Sequence, residues 1–202
     1  MAKIDSFSTL KTAIEGLLFR TDLDTELFIQ LCEARLSDDH RAYSITEIQP
    51  EITGHEVTLP ADYHALQSWR ITGDGFSRPL EVGSDIVSSL YPTDYTGIPE
   101  YVALVPPLAR LYPTPDGTYQ SRMTYRRIIL PLSDTQTTNW LLEERPDIYL
   151  YGSAVHAAPQ IKDDQRVALW ENLYSTALDE RYRATKHGQF GGPIRRFVEA
   201  ID

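Results

Sequence analysis

A proline set between two helical patterns constrains this chain more than any other residue. Pro146 follows Asn139-Trp140-Leu141-Leu142-Glu143-Glu144-Arg145 and opens a long run of apolar residues at helical spacing. Proline cannot continue the helix before it but fits the first turn of the one after it. The stretch is therefore predicted to hold a short helix capped by Asn139, then a helix from about Pro146 to about Ile161. Ile148, Tyr151, Gly152, Val155 and Ala158 form its apolar face, and Gly152, Ala154, Ala157 and Ala158 are small enough to admit a close neighbour. After Lys162, Asp163 or Asp164 can cap a second long helix, whose stripe is Val167, Trp170, Tyr174, Ala177 and Leu178. Arg181, Arg183 and Lys186 load its last turns with the charge that a helix C-terminus favours. The two helices make a hairpin.

The amino-terminal part supplies a partner for that hairpin. Ser6 can cap a helix bearing Phe7, Leu10, Ile14, Leu17 and Leu18 on one side. A second helix runs from about Asp24 to about Asp39, with Leu27, Phe28, Leu31, Ala34 and Arg35 as its expected inner side. Neither pair can hide its apolar stripe alone, so the two ends of the chain are expected to meet as a four-helix bundle. Residues 43–131 between them read differently. Ser44 to Ile52, Glu56 to Leu59, Ala65 to Thr72, Arg78 to Val82, Pro99 to Val105, Ala109 to Tyr112 and Thr118 to Ile129 are strand signals, with turns at Thr53-Gly54, Gly73-Asp74-Gly75 and Asp116-Gly117. Ser84 to Leu90 reads as a short helix. The predicted class is α+β: helices at 1–42 and 132–187, a β-rich insertion at 43–131, and a tail at 188–202, loosened by Gly188, Gly191 and Gly192 and broken by Pro193.

Asn139-Trp140-Leu141-Leu142, Pro146-Asp147-Ile148-Tyr149-Leu150-Tyr151-Gly152-Ser153, Ala158-Pro159, Lys162-Asp163-Asp164, Arg166 and Trp170 together resemble the head-to-tail adaptor, or connector, proteins of tailed bacteriophages, of the short-tailed type. The earlier segments match more loosely. The resemblance implies a helical bundle with a β-rich insertion, and a structural virion protein of the head–tail neck made in the host cytoplasm. Its implied partners are the portal protein, a tail nozzle or tail-tube protein, and further copies of itself in a dodecamer. It also implies non-specific passage of DNA through the ring, and a C-terminal arm that docks on the portal. Gln189, Phe190, Ile194, Arg195, Arg196, Phe197 and Val198 are the candidates for that docking. Tyr149, Tyr151, His156 and Arg181, on the hairpin, are the candidates for the contact between subunits.

Other chemistries find little support in the residues. A net charge of −10 does not draw DNA phosphates over the surface as a whole, which suits a channel wall better than a sequence reader. The one cysteine, Cys32, lies in a helical pattern and excludes an intrachain disulfide. His40, His55, His64, His156 and His187 contain no i, i+4 pair, so neither metal nor cofactor is expected. Phosphate-cradling glycine loops are missing, and Gly152-Ser153-Ala154 lacks the spacing of a nucleophile elbow. No apolar run is long enough for a membrane span. Glu143, Glu144 and Asp147 are the residue types of a glycoside hydrolase, which leaves a peptidoglycan hydrolase as the rival reading, with Glu143 or Asp147 as its acid. Acids at a helix start are better explained by the helix dipole, and Asp147 sits one residue after the Pro146 that opens a helix.

Overall fold

A computed structural model describes residues 3–73, 75–83, 91, 95–162 and 164–190. The fold is mixed α+β, in two compact units. One unit joins Met1–Ala42 to Ile129–Asp202, and the other is Tyr43–Ile128.

The first unit is helical. Helix α1 (Phe7–Leu18) begins at a reciprocal cap, in which Ser6 Oγ accepts the Thr9 N–H and Thr9 Oγ1 accepts the Ser6 N–H. It ends at Phe19, whose backbone is left-handed at φ 54°. Helix α2 (Thr25–Asp38) starts where Asp24 accepts the Leu27 N–H at 3.1 Å. Helix α3 (Trp140–Glu144) is capped by Asn139, whose Oδ1 accepts the Leu142 N–H at 2.9 Å. Pro146 opens α4 (Pro146–Ile161), which ends at Lys162 with φ 56°. Helix α5 spans Asp164–Phe190. It therefore runs through Gly188, so the helical backbone extends beyond the expected end of the hairpin at residue 187. Asp163, one of the two expected caps, lies outside the described residues, as do Ser84–Leu90 and residues 191–202.

Helix α4 is the hub: α1, α2, α3 and α5 all pack on it. Its buried residues are Ile148, Tyr149, Gly152, Ser153, Ala154, Ala157 and Ala158, while Tyr151 and Val155 are half-buried. Gly152 allows the closest approach. A Cβ there would overlap Cys32 Sγ and lie 2.9 Å from Tyr174 Cε2, so side chains from α2 and α5 occupy the space that any larger residue would need. Trp170, Tyr174, Ala177 and Leu178 are buried on α5, as the periodicity predicts. On α2 the expectation holds for Phe28 and for half-buried Arg35 but fails for Leu27, Leu31 and Ala34. The buried face is Thr25, Phe28, Ile29, Cys32, Glu33 and Leu36, whereas Leu27 is 45% and Leu31 41% exposed. The helix is apolar on two sides, and the sequence pattern mixed residues of both.

The second unit is β-rich. Strands β1 (Ser44–Ile48), β2 (Glu51–Ile52), β4 (Tyr63–Gly73), β5 (Phe76–Pro79) and β11 (Tyr119–Arg127) form one sheet in the order β1-β11-β4-β5, with β2 also on β11. Strands β3 (Glu56–Thr58), β6 (Glu81–Val82), β8 (Tyr101–Val105) and β9 (Leu108–Tyr112) form another, ordered β3-β9-β8-β6. Two short strands, β7 (Thr96–Gly97) and β10 (Thr114–Pro115), pair in parallel. Ser121, Met123 and Tyr125 of β11 point inward while Gln120 and Arg122 face solvent, the alternation expected of a half-buried strand. The indole N–H of Trp69 donates to Ser121 Oγ at 3.0 Å, so both polar groups are satisfied inside the core. Two expected pairings change. Residues 56–58 join β9 rather than returning on 44–52. The segment read as Arg78 to Val82 divides at buried Leu80, and β6 crosses to the other sheet to pair in parallel with β8.

Candidate functional site

The sequence points to α4 and α5, and the structure shows what their side chains do there. Tyr149 is completely buried. Its hydroxyl accepts from Asn139 Nδ2 at 2.7 Å and donates to Glu33 Oε1 at 3.2 Å. Asn139 Nδ2 also donates to the Leu130 carbonyl at 2.8 Å, and Glu33 Oε1 accepts the Leu132 N–H at 2.8 Å. One buried carboxyl thus ties α2 to α4, to the cap of α3 and to the segment that leads into α3. Burial raises the Glu33 carboxyl to about 7 despite these hydrogen bonds, which pull the other way. Burial also pushes the Tyr149 phenol up, with the Glu33 carboxylate adding to the effect. Enclosed in this way, Tyr149 presents no accessible surface to a neighbour, so the interface role expected of it gives way to an internal one.

Arg181 is also internal, at 4% exposure. Its guanidinium lies over the Trp140 ring at 4.6 Å, donates to the Arg41 carbonyl at 2.9 Å and sits 3.7 Å from Glu144. Burying a charge is tolerated when aromatic, carbonyl and carboxylate groups replace its water. Tyr151 and His156 keep part of their surface open. Burial lowers the pKa of His156, and the Arg35 charge lowers it further.

Sequence reasoning put Arg35 on the inner side of α2 but missed the ion pairs that join the helices. Arg35 of α2 forms a two-pronged ion pair with Glu171 of α5 and stacks over Tyr174. Arg41, in the short 3-10 turn His40–Ala42, binds Asp39 at 2.6 Å and Asp179 at 2.8 Å. Arg145 binds Asp147 at 2.7 Å and Glu180 at 3.1 Å. Glu33 was legible in principle, because it falls four residues after Ile29 and three before Leu36, on the stripe that is buried. The long-range arginine partners carry no such local signal.

Asp147, one candidate acid, is held by Arg145, and Glu143 is exposed at the first turn of α3 with Thr138 Oγ1 at 3.2 Å. The 240 Å³ cavity lined by Arg78, Pro79, Glu81, Pro99, Glu100 and Tyr101 includes neither of them. Among the described residues, no group of three or more His, Cys, Asp or Glu side chains could hold a metal ion. Among the same residues, no helix is long and apolar enough to cross a membrane.

Gln189 and Phe190, two of the expected docking residues, end helix α5. Ile194, Arg195, Arg196, Phe197 and Val198 lie outside the described residues. A family model described as SU10 adaptor protein matches residues 5–196. No curated protein matches the chain.

Proposed function

The chain belongs to the SU10 adaptor protein family, a phage structural family of the head–tail junction, and from that premise we propose that it forms a ring beneath the portal and carries the DNA channel on toward the tail. The match over nearly the whole chain carries the reading. The physical character of the helical unit supports it. Arginines on α2, on the 3-10 turn and after α3 reach acids on α5, so the helices form a rigid wedge rather than a cleft. The four long helices α1, α2, α4 and α5 act as the bundle of that wedge. Twelve copies, matching the portal, close the ring, with Tyr151 and His156 turned toward neighbouring subunits. Residues 188–202 dock on the portal through Gln189, Phe190, Ile194, Arg195, Arg196, Phe197 and Val198. The acidic balance of the chain lets DNA slide through without adhering.

The test is direct. Full-length protein mixed with portal rings of the same virion is imaged beside protein truncated after residue 187. A ring of added density under the portal with the full chain, lost on truncation, supports the proposal. A truncated chain that still decorates portals refutes the docking role of the tail. A full chain that ignores portals refutes the placement itself.

A further inference from the structure

Ser121, Met123 and Tyr125 of β11 face the core of the β-rich unit, so Arg122, Thr124 and Arg126 fall on the opposite face of the sheet. Arg122 is exposed, and Thr124 and Arg126 are half-buried. Arg70 of β4 is the cross-strand partner of Arg122, and Glu47 of β1 that of Thr124, so both share this outer face. Arg70 and Arg122 stand one strand spacing apart, about 4.8 Å, and Arg126 lies four residues along β11, about 13 Å away. The three guanidiniums form a stripe.

Two of the three charges meet no carboxylate among the described residues. Arg70 donates to the hydroxyl of Ser77 at 3.2 Å and to its carbonyl at 3.3 Å. Arg126 lies over the Tyr43 ring at 5.3 Å, and that ring stacks on His64 at 5.4 Å. Arg122 sits 3.4 Å from Glu47. The other acid on this face, Glu51, accepts from Gln120 Nε2 at 3.4 Å. Three arginines against two glutamates leave the face cationic, in a chain whose net charge is −10.

The side chains around the stripe say what it fits. Arginine, threonine, serine and glutamine are the groups that hold the phosphates and sugars of nucleic acids. Ile45, 37% exposed, is the one exposed large apolar residue on this face among the described residues. A protein partner would need buried apolar or aromatic anchors, and the face offers few. Four strands span about 14 Å between their outer axes, wider than the about 12 Å of a major groove, so the sheet cannot enter a groove to read bases. Over the length of the stripe a duplex carries about eight phosphate charges, more than enough to engage three arginines.

We infer that this outer face of the sheet contacts the phosphate backbone of duplex DNA, without reading its sequence, through Arg70, Arg122 and Arg126. The inference deepens the channel reading, on which it rests, by giving the passing DNA a surface. The acidity of the rest of the chain keeps the hold weak.

Fluorescence anisotropy of a labelled duplex of about 30 base pairs, titrated with the full chain from about 20 mM salt upward, tests it. Arg70→Gln and Arg126→Gln remove one charge each, and circular dichroism checks their folding. Arg183→Gln, exposed on α5, is the control. Three phosphate contacts should cut wild-type affinity about 40-fold when salt rises fourfold, and either sheet variant should lower that factor to about 12-fold. Duplexes of different sequence should bind alike, and Arg183→Gln should match wild type. No binding by wild type at the lowest salt overturns the inference, as does an unchanged salt dependence in both sheet variants. Arginine-dependent self-association in mass photometry, with DNA binding unchanged, overturns it in favour of an acidic protein neighbour. The ring is judged apart from this contact, by imaging the double variant on portal rings. Added density with DNA binding lost supports the contact. A wild-type chain that binds DNA through these arginines and ignores portals would keep the contact and sink the ring.

Discussion

Replacing Glu33 by Gln should make the helical unit more stable at alkaline pH and change the shape of its pH profile. Glu33 Oε1 accepts the Leu132 N–H and the Tyr149 O–H within the core, and a Gln carbonyl can accept both. The folded carboxyl titrates at about 7, against an ordinary value of 4.5. Between those values the folded chain holds a proton that the unfolded chain has released. Stability from this group is therefore complete below about 4.5 and is lost as pH rises toward 7. The whole loss is about 3 kcal/mol at 1.36 kcal/mol per pKa unit. Gln does not ionise and escapes it. Urea unfolding of wild type and Glu33→Gln, followed by helical circular dichroism from pH 4 to pH 8.5, gives the difference at each pH and cancels the other titrating groups. The variant should gain about 3 kcal/mol on wild type across that range. Parallel profiles would show that Glu33 reaches water and ionises normally, and the account of the Glu33–Tyr149–Asn139 network would fall with it. Glu33→Leu supplies the contrast. It leaves the Leu132 N–H and the Tyr149 hydroxyl without their acceptor and should cost about 1–3 kcal/mol for each group relative to Glu33→Gln, at every pH.

Gly152→Ala inserts a methyl group where Cys32 Sγ and the Tyr174 ring already stand, and should cost about 1–3 kcal/mol in urea unfolding. An unchanged midpoint would mean that α2 and α5 are not held against α4 as described. Trp170→Ala empties a core position that is 3% exposed and should cost about 3–5 kcal/mol by the same measurement. Asn139→Ala removes the cap of α3 and the donor to Tyr149, so a loss of at least about 1 kcal/mol is expected. Hydrogen exchange should then quicken at Leu142, and unchanged exchange there would refute the cap.

The elements that local chemistry specifies were readable in advance. Ser6, Asp24, Asn139 and Pro146 start their helices as capping and proline rules require. The alternation along residues 119–125 describes β11 and its inner face. Partners were not readable. Strand signals at Glu56 and Glu81 do not say which neighbour a strand will join, because pairing is settled by the whole sheet. For α2, Leu27 and Leu31 outweighed Cys32 and Glu33 in the sequence pattern, since a carboxyl is ordinarily placed in solvent. Only the Tyr149 hydroxyl and the Leu132 amide, on the order of a hundred residues away, make its burial affordable. Among the expected site residues, Tyr149 and Arg181 face inward for the same reason: their partners come from distant segments.

The helical unit is assembled from both ends of the chain, with residues 43–128 between them. A ribosome releases α1 and α2 first, and the surface that must cover Phe28, Ile29 and Cys32 follows on the order of a hundred residues later. At ordinary rates of about 5–20 residues per second, the early helices wait about 5–20 seconds for α4. In a nascent or stalled polypeptide that ends before α4, the inner face of α2 therefore stays uncovered.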